Sequence, residues 1–399
     1  MTDTVFAAVP GPSPVVDAGS LLHGLRDGVP RTRAELSRAI GMSRSTITGW
    51  IDQLMDAGLV APFGDAASTG GRPSSQFAFR PGAYVVLAAD LGASHIRLAV
   101  TDLAGGVLAE QREEIDIATG PEVVLAALER IGGELLHEAG RGHADLVGVG
   151  IGVPGPVEFA TGQPVNPPIM PGWDRFDIKA HVASAFDVPV VVDNDVNVMA
   201  LGERTIAWPE VEDLLFVKVA TGIGAGIIAG GDLRRGASGA AGDIGHAPLS
   251  RRSDVLCACG NRGCLEAVAS GRAIAAELRH HGIGATGSRE VVELVKSANV
   301  DAIQAVRQAG RDIGEILTLC VTLLNPAVIV IGGSMAQVAE HLVAGVREVV
   351  YARSIPLSTE HLTIAPARTS DDAAIAGASR LATDAALSPS RLGALLMRR

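Results

Sequence analysis

Three cysteines and one histidine lie close together in the chain and have the spacing of metal ligands. Cys257, Cys259 and Cys264 fall within eight residues, and His246 precedes them. One imidazole and three thiolates complete a tetrahedral Zn²⁺ site, and a site closed by four protein ligands is structural because no position remains for a reacting water. A disulfide framework would spread the cysteines along the chain, so metal binding is the better interpretation.

The alternative interpretation of this cluster is a set of reduced, buried thiols beside an unrelated histidine. The fourth cysteine, Cys320, falls in an apolar helical stretch at residues 316–324 and is expected in the core. The sequence therefore predicts one structural zinc ion held by His246, Cys257, Cys259 and Cys264.

A second cluster of polar side chains follows a buried strand near the middle of the chain. Three valines at 190–192 run into Asp193, Asn194, Asp195 and Asn197, ahead of a predicted helix at 198–204. A carboxylate at the end of a buried strand that faces a cleft is a candidate general base. The alternative is that Asn194 and Asp195 cap the following helix, although capping explains one polar residue well and four poorly.

Strand–turn–strand units with small residues at the turn occur twice in the chain. The turns lie at residues 90–94 and 221–226, and a third glycine-rich segment at 331–334 follows the predicted strand 328–330. Backbone N–H groups approach a polyphosphate closely where no Cβ intervenes. The glycines Gly92, Gly222, Gly224, Gly332 and Gly333 are therefore candidate phosphate contacts. The other candidates at the same turns are Asp90, Ser94 and Thr221. The duplication predicts two similar lobes that face a cleft.

The first eighty residues have the pattern of a winged helix-turn-helix. A helical pattern at 17–27 is followed by a capping box at Thr32 and Glu35, and Ser43 caps a third helix that continues to Ala57. Predicted strands at 59–61 and 76–79 enclose a Gly/Ser loop, which is the pattern of a wing.

The candidate DNA contacts of this segment lie on its third helix and its wing. Arg44, Ser45 and Thr48 occupy the exposed start of the helix, where such domains reach base edges in the major groove. Arg72, at the wing tip, is suited to a narrow minor groove. The alternative is a three-helix docking domain that binds protein and no nucleic acid.

The charge distribution separates this segment from the rest of the chain. Residues 1–80 contain seven arginines and seven acidic residues, so the whole net charge of −11 lies in the remainder. A neutral segment with clustered arginines ahead of an acidic body fits a small DNA reader joined to a domain that binds no nucleic acid. No apolar run reaches the roughly 18 residues that span a bilayer, and residues 1–16 lack the pattern of a signal peptide. We therefore expect a cytoplasmic protein without membrane contact.

Taken together, these motifs resemble the ROK family of repressors, open reading frames and sugar kinases over nearly the whole chain. Residues 90–94 and 221–226 look like the family's two phosphate motifs, and residues 152–157 with Asn166 and Trp173 look like its sugar-side loop. Residues 242–246 and 257–266 look like its sugar and zinc signature. The N-terminal winged helix with a Gly-Gly-Arg-Pro wing is similar to the repressor branch.

The resemblance implies an α/β fold in which a winged helix-turn-helix precedes an actin-like, hexokinase-like pair of lobes with a structural zinc site. It divides the chain into a flexible arm (1–16), the winged helix (17–82), a first lobe (83–198) and a second lobe with the zinc loop (199–371). A helix near 372–387 would pack back on the first lobe, ahead of a tail at 388–399.

The resemblance also implies residue roles. Asp195 matches the catalytic base of the kinases, and His246 would contact the sugar as well as zinc. The implied sugar contacts are Asn166, Asn194, Asp195, Asp243, His246 and Glu266. Ala93 and Ala220 stand where kinases usually carry glycine, His95 stands where a lysine or asparagine is common, and Asp243 stands where a glutamate is usual.

The leading hypothesis is a sugar-responsive transcriptional regulator. It would bind a palindromic operator as a homodimer or homotetramer and take a monosaccharide as its effector. The alternatives are an ATP-dependent sugar kinase and a bifunctional regulator and kinase. ATP and Mg²⁺ are expected only if kinase activity is retained.

Overall fold

Residues 17–65, 74–369 and 371–397 are described by the computed structural model. Contacts divide the chain into a first unit of residues 1–84 and 384–399 and a second unit of residues 85–383. The expected arm at 1–16 and the expected wing contact Arg72 lie outside the described residues.

Three helices and a small antiparallel sheet make up the N-terminal part of the first unit. They are α1 (Ala18–Leu25), β1 (Arg31–Thr32), α2 (Arg33–Ile40), α3 (Arg44–Asp56), β2 (Val60–Asp65) and β3 (Ser75–Phe79), with sheet order β1-β3-β2. The predicted capping box is present: Glu35 N–H donates to Thr32 Oγ1 at 3.2 Å, and Thr32 N–H donates to the Glu35 carboxylate at 2.8 Å. Apolar side chains from all three helices form a core with almost no exposure, namely Leu21, Leu25, Leu36, Ile47, Ile51 and Leu54.

The second unit begins with a five-stranded sheet and its covering helices. Its elements are β4 (Val85–Leu91), β5 (His95–Asp102), β6 (Val107–Glu114), α4 (Pro121–Glu138), β7 (Leu146–Val153), β8 (Val157–Glu158), β9 (Gln163–Pro164), α5 (Ile178–Phe186) and β10 (Val190–Asn194). The sheet order is β10-β7-β4-β5-β6, with β10, β7 and β4 parallel to one another. Because these three strands run in the same direction, their carboxyl ends meet at one edge.

A second five-stranded sheet follows α6 (Asp195–Ala207). Its elements are β11 (Leu214–Val219), β12 (Ile223–Ala229), β13 (Asp232–Arg234), α7 (Leu265–Ala269), α8 (Gly271–His280), α9 (Ser288–Lys296), α10 (Val300–Leu324), β14 (Val328–Gly332), α11 (Ala339–Arg353), α12 (Pro356–Thr359) and β15 (Thr363–Pro366). The sheet order is β13-β12-β11-β14-β15, so β11 is the central strand. Helix α6 packs against strands of both sheets.

The last two helices are α13 (Asp372–Ala386) and α14 (Pro389–Leu396). The backbone of α13 lies directly against Gly150 of β7 and Gly202 of α6. Residues 388–399, which the sequence analysis treats as a tail, contain α14, and α14 contacts α1 and α3 within the first unit. The helix forms because Leu392 and Leu395, three residues apart, share one face and are buried at 2% and 6% exposure.

None of the helices in the described part of the chain is both long and apolar enough to cross a bilayer.

Candidate functional site

The structure brings the four predicted metal ligands together. The ligand atoms of His246, Cys257, Cys259 and Cys264 all lie within 4.8 Å of one another. Cys257 Sγ is 3.8 Å from His246 Nδ1, and Cys259 Sγ is 3.6 Å from Cys264 Sγ. Two sulfur ligands at about 2.3 Å from a tetrahedral zinc lie about 3.8 Å apart, so the donor set and its spacing fit a zinc ion. Cys320 is half-buried on α10 and packs against the hydrophobic core.

A tight loop holds the cysteines in this arrangement. Cys257 N–H donates to Asn261 O at 2.8 Å, and Gly260, with φ of 90°, donates back to Cys257 O at 3.0 Å. The backbone N–H of Asn261 lowers the pKa of Cys259 to about 7, whereas burial and the neighbouring thiols raise the pKa of Cys264 to about 12. A metal ion that binds here displaces the thiol protons, because the thiolate is the ligand.

The segment that carries the predicted metal ligands, residues 246–264, is called the metal loop. The start of α7, which follows it directly, is hydrogen-bonded to the second glycine-rich turn. Leu265 N–H donates to Ala247 O at 2.9 Å, which ties the start of α7 to the residue after His246. The carboxylate of Glu266 accepts a hydrogen bond from Ile223 N–H at 3.2 Å. One oxygen of Glu266, a predicted sugar contact, therefore has a backbone partner at the start of β12.

Asp195 is the first residue of α6, and its carboxylate forms an ion pair with a residue that the sequence analysis did not single out. Lys218 Nζ donates to Asp195 Oδ2 at 2.6 Å, and the Asp195 side chain is only 7% exposed. Burial opposes the charged ammonium, but the attraction and hydrogen bond of Asp195, together with the charge of Asp90, raise the pKa of Lys218 above its ordinary value. A lysine inside the otherwise apolar strand Leu214–Val219 is the sequence signal that points to such a partner.

Asn194 has structural partners for both ends of its amide. Its Oδ1 accepts from Val196 N–H at 2.9 Å, so Asn194 is the N-cap of α6, and its Nδ2 donates to Gly155 O at 2.7 Å. The capping alternative of the sequence analysis thus describes Asn194, while Asp195 has the separate partner Lys218.

A second buried ion pair lies beside this one and was also not predicted. Asp193 is 2% exposed, and its Oδ2 accepts from Arg235 Nε at 2.6 Å while its Oδ1 accepts from Asn197 Nδ2 at 2.9 Å. The guanidinium of Arg235 also lies 3.7 Å from the centre of the Phe159 ring. Arg235 follows β13, so the charge that balances Asp193 comes from the second lobe.

The two remaining predicted sugar contacts, Asn166 and Asp243, have exposed side chains. Asn166 adopts φ of 45°, and its backbone N–H donates to Asp174 Oδ1 at 2.7 Å. This hydrogen bond fixes the backbone of the loop and leaves the amide side chain of Asn166 available to a ligand.

The first glycine-rich turn is covered by a histidine. Gly92 N–H donates to His95 O at 2.8 Å, and the imidazole lies so close above Gly92 that a Cβ there would overlap it. His95 Nε2 is 3.3 Å from Asp90 Oδ2, and the Ser94 carbonyl accepts from Ile115 N–H at 3.2 Å. The Gly92 N–H therefore already has a partner within the turn, and the imidazole fills the space that a side chain at this position would need.

The second glycine-rich turn is shorter than predicted, because β12 already begins at Ile223. Gly224 and Gly226 belong to this strand and face α6, where added Cβ atoms would lie 3.1 Å from Val196 and 2.5 Å from Ala200. These two glycines allow close packing of strand and helix.

The other candidate phosphate residues have similar surroundings. Gly222 faces the Glu266 carboxylate, Gly332 faces the Phe216 ring, and Gly333 adopts φ of 84° against the Val219 carbonyl. Thr221 is exposed. Packing within the chain thus accounts for Gly332 and Gly333 without a nucleotide.

The predicted DNA contacts of the third helix lie in its first two turns. Arg44 and Ser45 are exposed, and Thr48 is half-buried with its hydroxyl donating to the Arg44 carbonyl at 2.9 Å. The first turn of α3 contains no acidic residue, so its N-terminal N–H groups and dipole remain favourable to an anion.

Comparisons with known proteins agree with this architecture. A family model described as the ROK family matches residues 86–385. A protein of Caldicellulosiruptor sp. strain Rt8B.4, provisionally named a xylose repressor, is 31% identical over 90% of this chain and 92% of its own length. The xylose repressor of Caldicellulosiruptor bescii is 27% identical over the same shares of the two chains.

Two solved structures extend the comparison. A ROK family transcriptional regulator, described as a homolog of the E. coli MLC protein, matches 95% of this chain and 98% of its own with a TM-score of 0.83 at 24% identity. A glucokinase of the same family from Streptomyces griseus, solved with glucose and AMPPNP, matches 75% of this chain and 99% of its own with a TM-score of 0.64 at 27% identity.

Proposed function

This chain belongs to the ROK family, and we propose that it is a transcriptional regulator that binds operator DNA through its first unit and a monosaccharide in the second. The observation that carries the proposal is the extent of the matches. The xylose repressors match nine tenths of the chain, whereas the glucokinase structure matches three quarters. The first unit, a quarter of the chain, is the part that a regulator needs and a kinase does not.

The first unit has the elements of a winged helix-turn-helix, with α3 as the recognition helix. Arg44 and Ser45 lie exposed at its N-terminal turn, the part of such a helix that meets base edges. The absence of acidic residues from that turn favours approach to a phosphate backbone. We propose that Thr48 and Arg72 complete the contacts, and that the protein acts in the cytoplasm, where the operator is.

The sugar site of the proposal lies where the two lobes of the second unit meet. Asn194 and Asp195 lie at the start of α6, Glu266 contacts the second glycine-rich turn, and His246 belongs to the metal cluster. Asn166 and Asp243 extend the proposed contact set with exposed side chains. A structural zinc ion on His246 and the three cysteines would pre-organise the loop that carries Glu266.

Coupling between the sugar and the DNA requires that the sugar prefer one state of the protein. A tenfold preference supplies about 1.4 kcal/mol, enough to change operator affinity by up to tenfold. A dimer of the chain would place two DNA-binding units on a palindromic operator. The exposed apolar side chains Leu319, Leu323, Ile355 and Leu357 of the second lobe support self-association.

Binding to the DNA that flanks its own gene, followed by fluorescence anisotropy, tests the proposal. Wild type should bind specifically and change affinity with one of a panel of monosaccharides including xylose, glucose and N-acetylglucosamine. Arg44→Ala should weaken binding by about 1–3 kcal/mol, while Arg112→Ala, a matched change of an exposed arginine in the second unit, should leave it unchanged. Binding without sequence preference that Arg44→Ala does not weaken would refute the regulator.

The second candidate function is an ATP-dependent sugar kinase, or a regulator that is also a kinase. The position of Asp195 at the start of α6 is the observation that favours it, since a carboxylate there can take a proton from a sugar hydroxyl. The phosphates of the nucleotide, with Mg²⁺, would then be contacted by Asp90, Gly92, Ser94 and Thr221. The phosphate site would also be lined by Gly222, Gly224, Gly332 and Gly333. ADP release that depends on sugar and exceeds that of an Asp195→Asn control would establish this activity.

A further inference from the structure

Lys218 lies in the central strand of the second sheet, where a charged side chain needs a partner. Its cross-strand neighbours are Gly224 on β12 and Gly332 on β14. Because both neighbours are glycines, neither directly opposite residue places a side chain against the lysine stem. The ammonium is thereby free to reach Asp195 at the start of α6, at 2.6 Å.

Three carboxylates of the first lobe lie near one another at this point. Asp90 on β4 and Asp193 on β10 are both paired with Gly152 of the strand between them, and Asp195 follows Asp193 by two residues. Carboxylates gathered in this way repel one another unless cations balance them.

The cations that balance these carboxylates are side chains of the second lobe. Arg235 pairs with Asp193 at 2.6 Å, and Lys218 pairs with Asp195 at the same distance. The charge of Asp90 also contributes to the raised pKa of Lys218. Two of the three carboxylates therefore have a cationic partner from the second lobe, and Asp90 Oδ2 lies 3.3 Å from His95 Nε2.

Phosphoryl transfer needs a different arrangement of charge. The base must be free to accept a proton from the attacking hydroxyl, and a divalent cation must neutralise the phosphate oxygens. Mg²⁺ binds through carboxylate oxygens, but here one oxygen of Asp195 already accepts from an ammonium. This ion pair therefore opposes the binding of a divalent cation beside Asp195.

We propose that Lys218 is a built-in cation of the cleft, which takes the place of a divalent metal ion beside Asp195 and Asp90. The cleft then needs neither metal nor nucleotide at this position, and Asp195 is withheld from proton abstraction. The inference rests on the proposed sugar cleft and makes that cleft a sensor that leaves its sugar chemically unchanged.

Binding of Mn²⁺ to the zinc-loaded, full-length protein tests the inference, with electron paramagnetic resonance of free Mn²⁺ as the readout. Wild type and Lys218→Arg should leave Mn²⁺ free. Lys218→Met should bind it at least about tenfold more tightly, because two carboxylates lose their cation. The double variant Lys218→Met, Asp195→Asn should lose that gain. Circular dichroism checks that each variant is folded.

Two results would overturn the inference: Mn²⁺ binding by wild type that Asp195→Asn abolishes, or a folded Lys218→Met variant with no gain. If Lys218→Met does not fold, the comparison of wild type, Lys218→Arg and Asp195→Asn still decides. Sugar-dependent ADP release by wild type above Asp195→Asn would also overturn it. A wild type that binds no monosaccharide in calorimetry would instead count against the proposed function, while the Mn²⁺ result still decides the role of Lys218.

Discussion

The carboxylate of Glu266 accepts a hydrogen bond from the backbone N–H of Ile223, and this bond joins the metal loop to the second glycine-rich turn. Glu266 follows Cys264 by two residues, so an ion held by Cys264 fixes the start of α7 and the carboxylate together. A change at the metal cluster should therefore reach the cleft.

Cys259→Ser should lose zinc and monosaccharide affinity together, because the metal loop that precedes Glu266 is no longer held in place. Zinc content by atomic absorption and sugar affinity by calorimetry check this expectation. Cys320→Ser is the matched control, since Cys320 lies on α10 apart from the cluster, and it should keep zinc. Sugar affinity that survives in a zinc-free Cys259→Ser protein would contradict the pre-organised loop.

Asp195→Asn should destabilise the second unit, because it leaves the ammonium of Lys218 without its counter-charge. We expect a loss of about 1–3 kcal/mol in the free energy of unfolding by urea. Adding Lys218→Met should restore part of it, and a double-mutant cycle measures the coupling between the two residues. Additive effects of the two changes would show that the pair contributes nothing to stability.

Leu392→Ala should weaken the first unit, since this side chain of α14 is buried in the same unit as α1 and α3. The expected cost is about 2–4 kcal/mol in unfolding free energy, with weaker operator binding and unchanged sugar affinity. Met397→Ala changes a side chain that is 80% exposed in the same segment and serves as the control. Equal operator binding by both variants would count against a role for α14 in the proposed DNA-binding unit.

Gly226→Ala should destabilise the second unit by about 1–3 kcal/mol through overpacking against Ala200 of α6. Gly133→Ala, in α4, meets no neighbouring atom within 4 Å and should leave stability unchanged or raise it slightly. Thermal unfolding of both variants without any ligand provides the comparison. A Gly226→Ala protein as stable as wild type would remove the packing explanation for this glycine.

The sequence predicted those features that depend on local patterns. The capping box at Thr32 and the N-cap at Ser43 follow from side-chain and backbone groups three residues apart, and both are present. The metal ligands Cys257, Cys259 and Cys264 are likewise near one another in the chain.

Features that depend on tertiary packing were not predicted. The pairing of Lys218 with Asp195 requires the register of β11 against the start of α6, which no local pattern contains. The glycines of β12 read as a phosphate turn in sequence, because a glycine needed for close helix packing looks the same as one needed for a ligand. Helix α14 escaped prediction because its apolar face is short and its partners are distant in the chain.

The contacts of α14 also bear on the order in which the protein is made. About 330 residues separate the end of α3 from the start of α14, so a ribosome must translate both lobes before the helix that contacts α1 and α3 exists. A nascent chain therefore lacks this helix of the proposed DNA-binding unit until both lobes have been synthesised. A product truncated before α14 would lack part of that unit even though it contains the proposed DNA contacts Arg44 and Ser45.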